Sequence, residues 1–232
     1  MSTSFYHSAE IRWFWPGSDG LIELLTWFTH PGRPELRTPS LPEYQIEPFV
    51  MAERPRTDHY LLLPGCETVG IKQRQGRLEV KALVDGPHPF AVDAVSGQMD
   101  TWVKWSWLPS TAVAEPLAAD LEQSGPWQPV TKTRYTQRLA LKGDDLVPVS
   151  PTTLPDSGCS VELTWLQVPR HPAIWLTLGF EAFGPAGELP TLLTGTVEQF
   201  FNRHGRPPRP LVTADSKSYP AWLAALPESR SG

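Results

Sequence analysis

The chain is read most directly from its alternations. Residues 9–15 place Ile11, Trp13 and Trp15 on one side and Glu10, Arg12 and Phe14 on the other, the period-two pattern of a strand. Pro16-Gly17 ends it. The period then lengthens: Leu21, Leu24, Leu25 and Phe28 fall at i, i+3, i+4 and i+7 behind Ser18 or Asp19 as a cap, a helix stopped by Pro31-Gly32. Residues 31–56 are rich in proline and charge and read as a long loop. Strands are predicted over 58–63, 69–74 and 77–84, with Gln75-Gly76 as a two-residue hairpin turn between the last two. Another spans 100–108, with Val103, Trp105 and Trp107 opposite Trp102, Lys104 and Ser106. Strands follow over 132–141, 160–168 and 173–183. Short helical patterns occupy 111–123, with Pro116 in the first turn, and the segment from Ser218 through Trp222 to Leu226. A longer one runs from a Thr191 cap to Gly205, with Leu193, Val197, Phe200 and His204 on one face.

No composition break separates two cores and no fixed-period repeat is present, so one domain over residues 1–232 is expected. Hairpin-like connections favour antiparallel pairing. The fold class expected is α+β and β-dominated, an antiparallel sheet curled into a tunnel-like barrel with helices packed outside.

Splitting each strand by parity gives two faces. One is apolar: Ile11, Trp13, Trp15; Val103, Trp105, Trp107; Val161, Leu163, Trp165; Leu176, Leu178, Phe180. Helices can cover it. The opposite face carries Glu10, Arg12, Lys72, Arg74, Glu79, Lys81, Lys104, Lys132, Arg134, Arg138, Glu162 and Glu181, eight cations against four carboxylates. A solvated sheet face would carry charge too, but a basic excess recurring on strand after strand is unusual in a chain whose net charge is −5. If the sheet closes, these side chains converge on an interior that needs water or an anion to satisfy it. Long Lys and Arg side chains around a cavity suit phosphate oxygens.

Composition narrows the classes. The acidic balance argues against nucleic-acid binding through a basic surface. The 26 Pro, scattered between apolar runs, fit many short strands joined by stiff loops, and the 10 Trp fill a large interior. Cys66 and Cys159 show no CxxC and read as a buried pair of free thiols, not a disulfide framework or zinc site. No apolar stretch approaches a membrane span, and residues 1–10 lack the basic start and apolar core of a secretory signal, so a cytoplasmic protein without a membrane partner is expected. His204, near a helix end, reads as a cap that complements the helix dipole.

The order of short motifs resembles the CYTH, or triphosphate tunnel, family. Asp58-His59-Tyr60, then Gly70-Ile71-Lys72-Gln73-Arg74, then Leu78-Glu79-Val80-Lys81 is similar to the family's Asp-x-Tyr strand, basic pair and following lysine. Glu10 lies where the family carries Glu-x-Glu-x-Lys, Glu162 and Glu181 resemble its late-strand carboxylates, and Ser216-Lys217-Ser218-Tyr219 resembles its closing element. The resemblance implies a tunnel in which Arg12, Lys72, Arg74, Lys81, Lys104, Arg134 and Arg138 contact phosphate. It also implies Glu10, Glu162 and Glu181 as ligands of Mg2+ or Mn2+. Arg12 and Phe14 depart from the signature's second Glu and its Lys, placing a cation beside the metal position.

Three functions are consistent with this reading. The first is binding of a phosphorylated small molecule or polyphosphate with weak or no hydrolysis. The second is a metal-dependent triphosphatase, and the third a scaffold whose tryptophans dock a protein partner.

Overall fold

In a computed structural model of the chain, residues 4–31, 49–110, 126–143, 145–150, 152–169, 171 and 174–226 are described. Ten strands form one antiparallel sheet: β1 (Ser4–Pro16), β2 (Val50–Ala52), β3 (Arg56–Leu61), β4 (Val69–Arg74), β5 (Arg77–Val92), β6 (Val95–Trp107), β7 (Trp127–Lys142), β8 (Asp145–Val149), β9 (Gly158–Gln167) and β10 (Ile174–Phe183). Eight of them close a barrel in the order β1-β6-β5-β4-β3-β7-β9-β10. The long β7 makes closure geometrically simple. One edge pairs with β3 over 127–132, the other with β9 over 131–140, and β2 and β8 add to its far half.

Local chemistry explains the turns. Gln75 and Gly76 both have positive φ, 48° and 76°, as the tight β4–β5 hairpin demands. The β5–β6 hairpin is longer than its sequence signals. Pro87 and Pro89 would ordinarily end a strand, but the register slips between Leu83 and Asp85 and again between Asp85 and His88. Pro87 falls within the second irregularity, which needs no ladder bond from it. Pro89 is back in register opposite Gln98, and the ribbon continues to a turn at Asp93, φ 49°.

Outside the wall lie α1 (Leu21–Thr29) and α2 (Leu189–His204), the latter packed on β10, β1 and β9. Between wall and helices sits the main core: Ile11, Trp13, Trp15, Val161, Leu163, Leu176, Leu178 and Phe180 from the odd and even positions that alternation assigns outward, with Leu24, Phe28, Leu193, Val197 and Phe200 from the helices. The tip of the β5–β6 hairpin joins this layer through Phe90, Val92 and Val95, and Trp13 Nε1 donates to the Ser96 carbonyl at 2.9 Å. A second cluster brings Phe14, Tyr60, Val130 and Leu166 of the barrel together with Trp222 and Leu223 of α3 (Tyr219–Ala224). That helix is a plug. Its cap is the expected one, with the Ser218 hydroxyl accepting from the Ala221 N–H at 3.3 Å.

Several expectations need correction. The cap of α1 is Gly20 in the left-handed conformation, φ 72°, not Ser18 or Asp19. α2 starts before Thr191, at Leu189, with Pro190 in its first turn. The loop expected over 31–56 contains β2, and the helix expected over 111–123 lies outside the described residues. Trp105 and Trp107 are half-buried and, among the described residues, belong to neither core cluster, and Trp105 lines the cavity instead of the apolar face expected for it. Cys159 is buried, but Cys66 is only half-buried, so the two are not a buried pair. His204 is no charged cap. Burial pushes its pKa down to about 4, its ring stacks on Phe200, and it hydrogen-bonds the Phe200 carbonyl at 3.0 Å. Among the described residues no helix is long and apolar enough to cross a membrane.

Candidate functional site

The barrel interior is a cavity of about 790 Å³. Pleating sends the even positions of β1, β3, β4, β6, β7 and β9 into it, with the odd positions 77, 79 and 81 of β5 and 181 of β10. Nine Lys or Arg side chains line it: Arg12, Arg56, Lys72, Arg74, Arg77, Lys81, Lys104, Lys132 and Arg134. Four glutamates face them, Glu10, Glu79, Glu162 and Glu181.

Register produces four like-charged partners among the lining residues: Lys81 with Lys104, Arg56 with Lys132, Arg74 with Arg77, and Glu10 with Glu181. Such pairs are unfavourable on their own. Ion pairs to other strands offset them. Glu10 lies 3.3 Å from Lys81 and also contacts Lys104, which reaches Glu181 at 2.7 Å. Glu162 lies 3.0 Å from Arg12 and also contacts Arg134. Glu53 bridges Arg56 and Arg134, each at 2.6 Å, and Asp58 lies 3.2 Å from Arg56 and 3.4 Å from Lys132. On the β4–β5 hairpin, Glu79 takes Lys72 at 3.0 Å and Arg74 at 2.8 Å. Arg77 Nε beside them donates to Ser106 Oγ at 2.9 Å.

Burial opposes ionisation of Glu10, yet Lys104 and Lys81 outweigh it and hold the carboxyl well below the usual carboxylate range. Glu162 is held equally low, because Arg134 and Arg12 overcome its burial. Glu79 is also lowered, against burial, by Lys72 and Arg74. All three therefore stay charged and paired at neutral pH. Burial lowers Lys72 and Lys81 below an ordinary lysine. It lowers Lys132 furthest, to about 7.

Two local devices make room for this packing. Gly179 of β10 is the register partner of both Arg12 and Glu162, and a Cβ there would collide with the Arg12 guanidinium. Glycine is what lets that guanidinium lie flat across the strand. At the plugged end Tyr219 of α3 reaches in, with the Arg12 guanidinium 5.0 Å and the Lys132 ammonium 4.0 Å from its ring centre. The segment leading to it is anchored by Ser216, whose Oγ accepts from the Gln98 N–H at 2.9 Å. Lys217 N–H donates to the Arg12 carbonyl at 3.0 Å.

Of the cations expected to contact phosphate, Arg12, Lys72, Arg74, Lys81, Lys104 and Arg134 share this cavity. Arg138 does not. It lies beyond Thr136 on the half of β7 that pairs with β8, and it donates to the Thr153 carbonyl at 2.7 Å. Parity assigned it correctly to a face, but the strand runs past the end of the cavity. Three lining cations were not among the expected phosphate contacts, although Lys132 was placed on the same charged face. Lys132 shares parity with Arg134, Arg56 shares parity with Tyr60 on a strand that begins earlier than 58, and Arg77 sits beside the hairpin turn.

The carboxylates expected to hold Mg2+ or Mn2+ do not fit a site built from them. Glu10 and Glu181 share the Lys104 ammonium, and Glu162 is taken by two guanidinium groups. Protein cations stand where a metal would have to sit. Among the described residues no three His, Cys, Asp or Glu gather at ligand spacing. The chain matches no family model, and no curated protein matches its sequence.

Proposed function

We propose that this protein binds a phosphorylated small molecule or polyphosphate inside the barrel, with little or no hydrolysis. The reading is carried by one observation: among the described residues nine Lys or Arg side chains line one cavity, and they outnumber the four lining glutamates together with Glu53 and Asp58, which pair with Arg56, Arg134 and Lys132 from outside the lining. A multiply charged anion supplies the missing negative charge, and each charge-assisted bond contributes about 1.5–3 kcal/mol when its geometry is good. The β4–β5 hairpin is the best-suited phosphate subsite, since Lys72, Arg74 and Arg77 share only Glu79 among the lining glutamates. Deeper cations already hold carboxylates, so an anion there has to exchange for an internal partner. Leu62, Leu63, Val69, Leu223 and Leu226 also line the cavity, which favours a ligand with a carbon skeleton beside its phosphate. The closed antiparallel barrel is also the architecture that the CYTH resemblance implies. Hydrolysis through a carboxylate-held metal finds no support in the donor set, because Glu10, Glu162 and Glu181 are ion-paired.

Isothermal calorimetry with tripolyphosphate tests the reading. Binding is expected at low salt and should weaken as salt rises, because the exposed part of the attraction is screened within about 10 Å at 0.1 M. Arg74→Ala and Arg77→Ala should each weaken it by about 10- to 150-fold, the loss of one charge-assisted contact. Absence of binding at low salt by folded protein refutes the proposal.

A further inference from the structure

Lys132 differs from every other lysine in the cavity. Lys72, Lys81 and Lys104 each lie beside a lining glutamate. Lys132 Nζ instead donates to the Tyr60 hydroxyl at 2.5 Å, and its nearest carboxylate, Asp58 at 3.4 Å, is shared with Arg56. The Tyr60 and Tyr219 rings flank the Lys132 amine, with centres 4.8 and 4.0 Å away. It is 7% exposed, and that exposure is toward the cavity.

We propose that Lys132 is a nucleophilic amine that forms a reversible imine with a phosphorylated aldehyde or ketone, its phosphate held by the cavity's cations. This rests on the phosphoanion reading above and names the ligand's reactive group. The neutral amine attacks the carbonyl carbon, forming the C–N bond while the carbonyl oxygen takes up a proton. The resulting carbinolamine loses that oxygen as water together with the second nitrogen proton, leaving C=N. The sum is amine plus carbonyl to imine plus water, with no oxidant or reductant.

The surroundings suit each step. Burial first, then Arg12 and Arg134, disfavour the ammonium, outweighing Asp58 and Glu162, so a large share of Lys132 is neutral at pH 7. A desolvated lysine among other cations is a recognised means of activating an amine. Tyr60 accepts from Nζ and is free to donate its own O–H to the departing oxygen. Burial raises its pKa well above the ordinary value, so it keeps that proton until it is needed. Lys72, Arg74 and Arg77 line the same cavity on β4 and β5, Lys72 as the register partner of Tyr60. An aldehyde bearing a phosphate some carbons away can engage both these cations and the Lys132 amine.

The test uses the full chain with pyridoxal 5′-phosphate as probe and pyridoxal as its unphosphorylated twin, each trapped with borohydride and mapped by peptide mass spectrometry. The adduct is expected on Lys132 in preference to Lys72, Lys81, Lys104, Lys142 and Lys217. Pyridoxal should label it about tenfold or more slowly, and tripolyphosphate should protect it. Labelling of Lys132 should rise with pH and level off just above neutrality, well below an ordinary lysine. Tyr60→Phe should slow it by about a hundredfold, the scale of one general acid. Lys132→Met should abolish it, and protection by tripolyphosphate in the unmodified chain tests the site without any substitution. Adducts spread evenly over all lysines overturn the inference, as does equal labelling by pyridoxal. If tripolyphosphate binds by calorimetry but Lys132 is unlabelled, the imine falls and the anion site stands. If neither occurs, both fall.

Discussion

Glu10 and Asp100 are register partners on β1 and β6, and their carboxyls are driven in opposite directions. Glu10 touches two ammonium groups and stays ionised. Asp100, 8% exposed, touches no ammonium group among the described residues. Burial raises its pKa to about 6, Lys81 only partly opposes this, and Glu10 adds to it. A carboxyl raised in the fold binds its proton more tightly there than in the unfolded chain. Stability therefore falls as pH rises from about 4 to about 6, and the cost is present in full above that window. Asp100→Asn mimics the protonated form. It should stabilise the protein by up to about 3 kcal/mol at pH 8, with the advantage gone below about pH 4. Urea unfolding at the two pH values reads this out. Equal stability at pH 8, or an advantage that grows in acid, would contradict the assignment.

At the scale of elements, the seam of β1, β10 and β9 shows how one glycine holds an ion-pair network. Arg12, Gly179 and Glu162 are successive register partners across three strands, and the Arg12 guanidinium occupies the space a side chain on β10 would need. Gly179→Ala should cost about 1–3 kcal/mol by overpacking and should loosen the Arg12–Glu162 pair without touching the outer core. The check is chemical denaturation together with tripolyphosphate affinity. An alanine variant as stable as the parent would mean that Arg12 has room to move. Much of this wall was legible in the sequence. The alternation in 9–15, 100–108, 160–168 and 173–183 assigned inward and outward faces, and Gln75-Gly76 marked its hairpin. β5 beyond Pro87 and the short β8, with Pro148 inside it, were hidden because proline ordinarily argues against a strand. The plug of α3 was legible as a capped helix but not as a plug, since Phe14 and Trp222, which stack at 5.0 Å, lie near opposite ends of the sequence. Which carboxylate neutralises which cation was not legible either. Glu53 and Arg134 meet across 81 residues, and only the pairing of β2 with β7 brings them together.

Taken whole, the molecule separates its charge: net −5 over the chain, yet a cavity where cations outnumber carboxylates. The acidic remainder lies outside the cavity lining, so under the proposed function a bound anion meets excess positive charge only inside the barrel. This separation decides what a divalent cation should do. If the glutamates held Mg2+, metal and polyphosphate would reinforce one another and phosphate would be released. With those glutamates committed to Lys and Arg, Mg2+ has no site among them and instead neutralises the ligand in solution. Tripolyphosphate at about 100 times its dissociation constant should add about 2.7 kcal/mol to stability, a rise of about 5–10 °C in Tm for a chain of this size. Mg2+ alone should leave Tm unchanged, Mg2+ with tripolyphosphate should shrink the rise, and EDTA should have no effect. Phosphate release should stay near background in every mixture. The opposite pattern would overturn the separation argument: a Tm rise enlarged by Mg2+, with turnover lost in Glu10→Gln or Glu162→Gln. It would mean that the internal ion pairs open to admit a metal when substrate arrives. Differential scanning fluorimetry and a phosphate-release assay on the same samples distinguish the two patterns by sign.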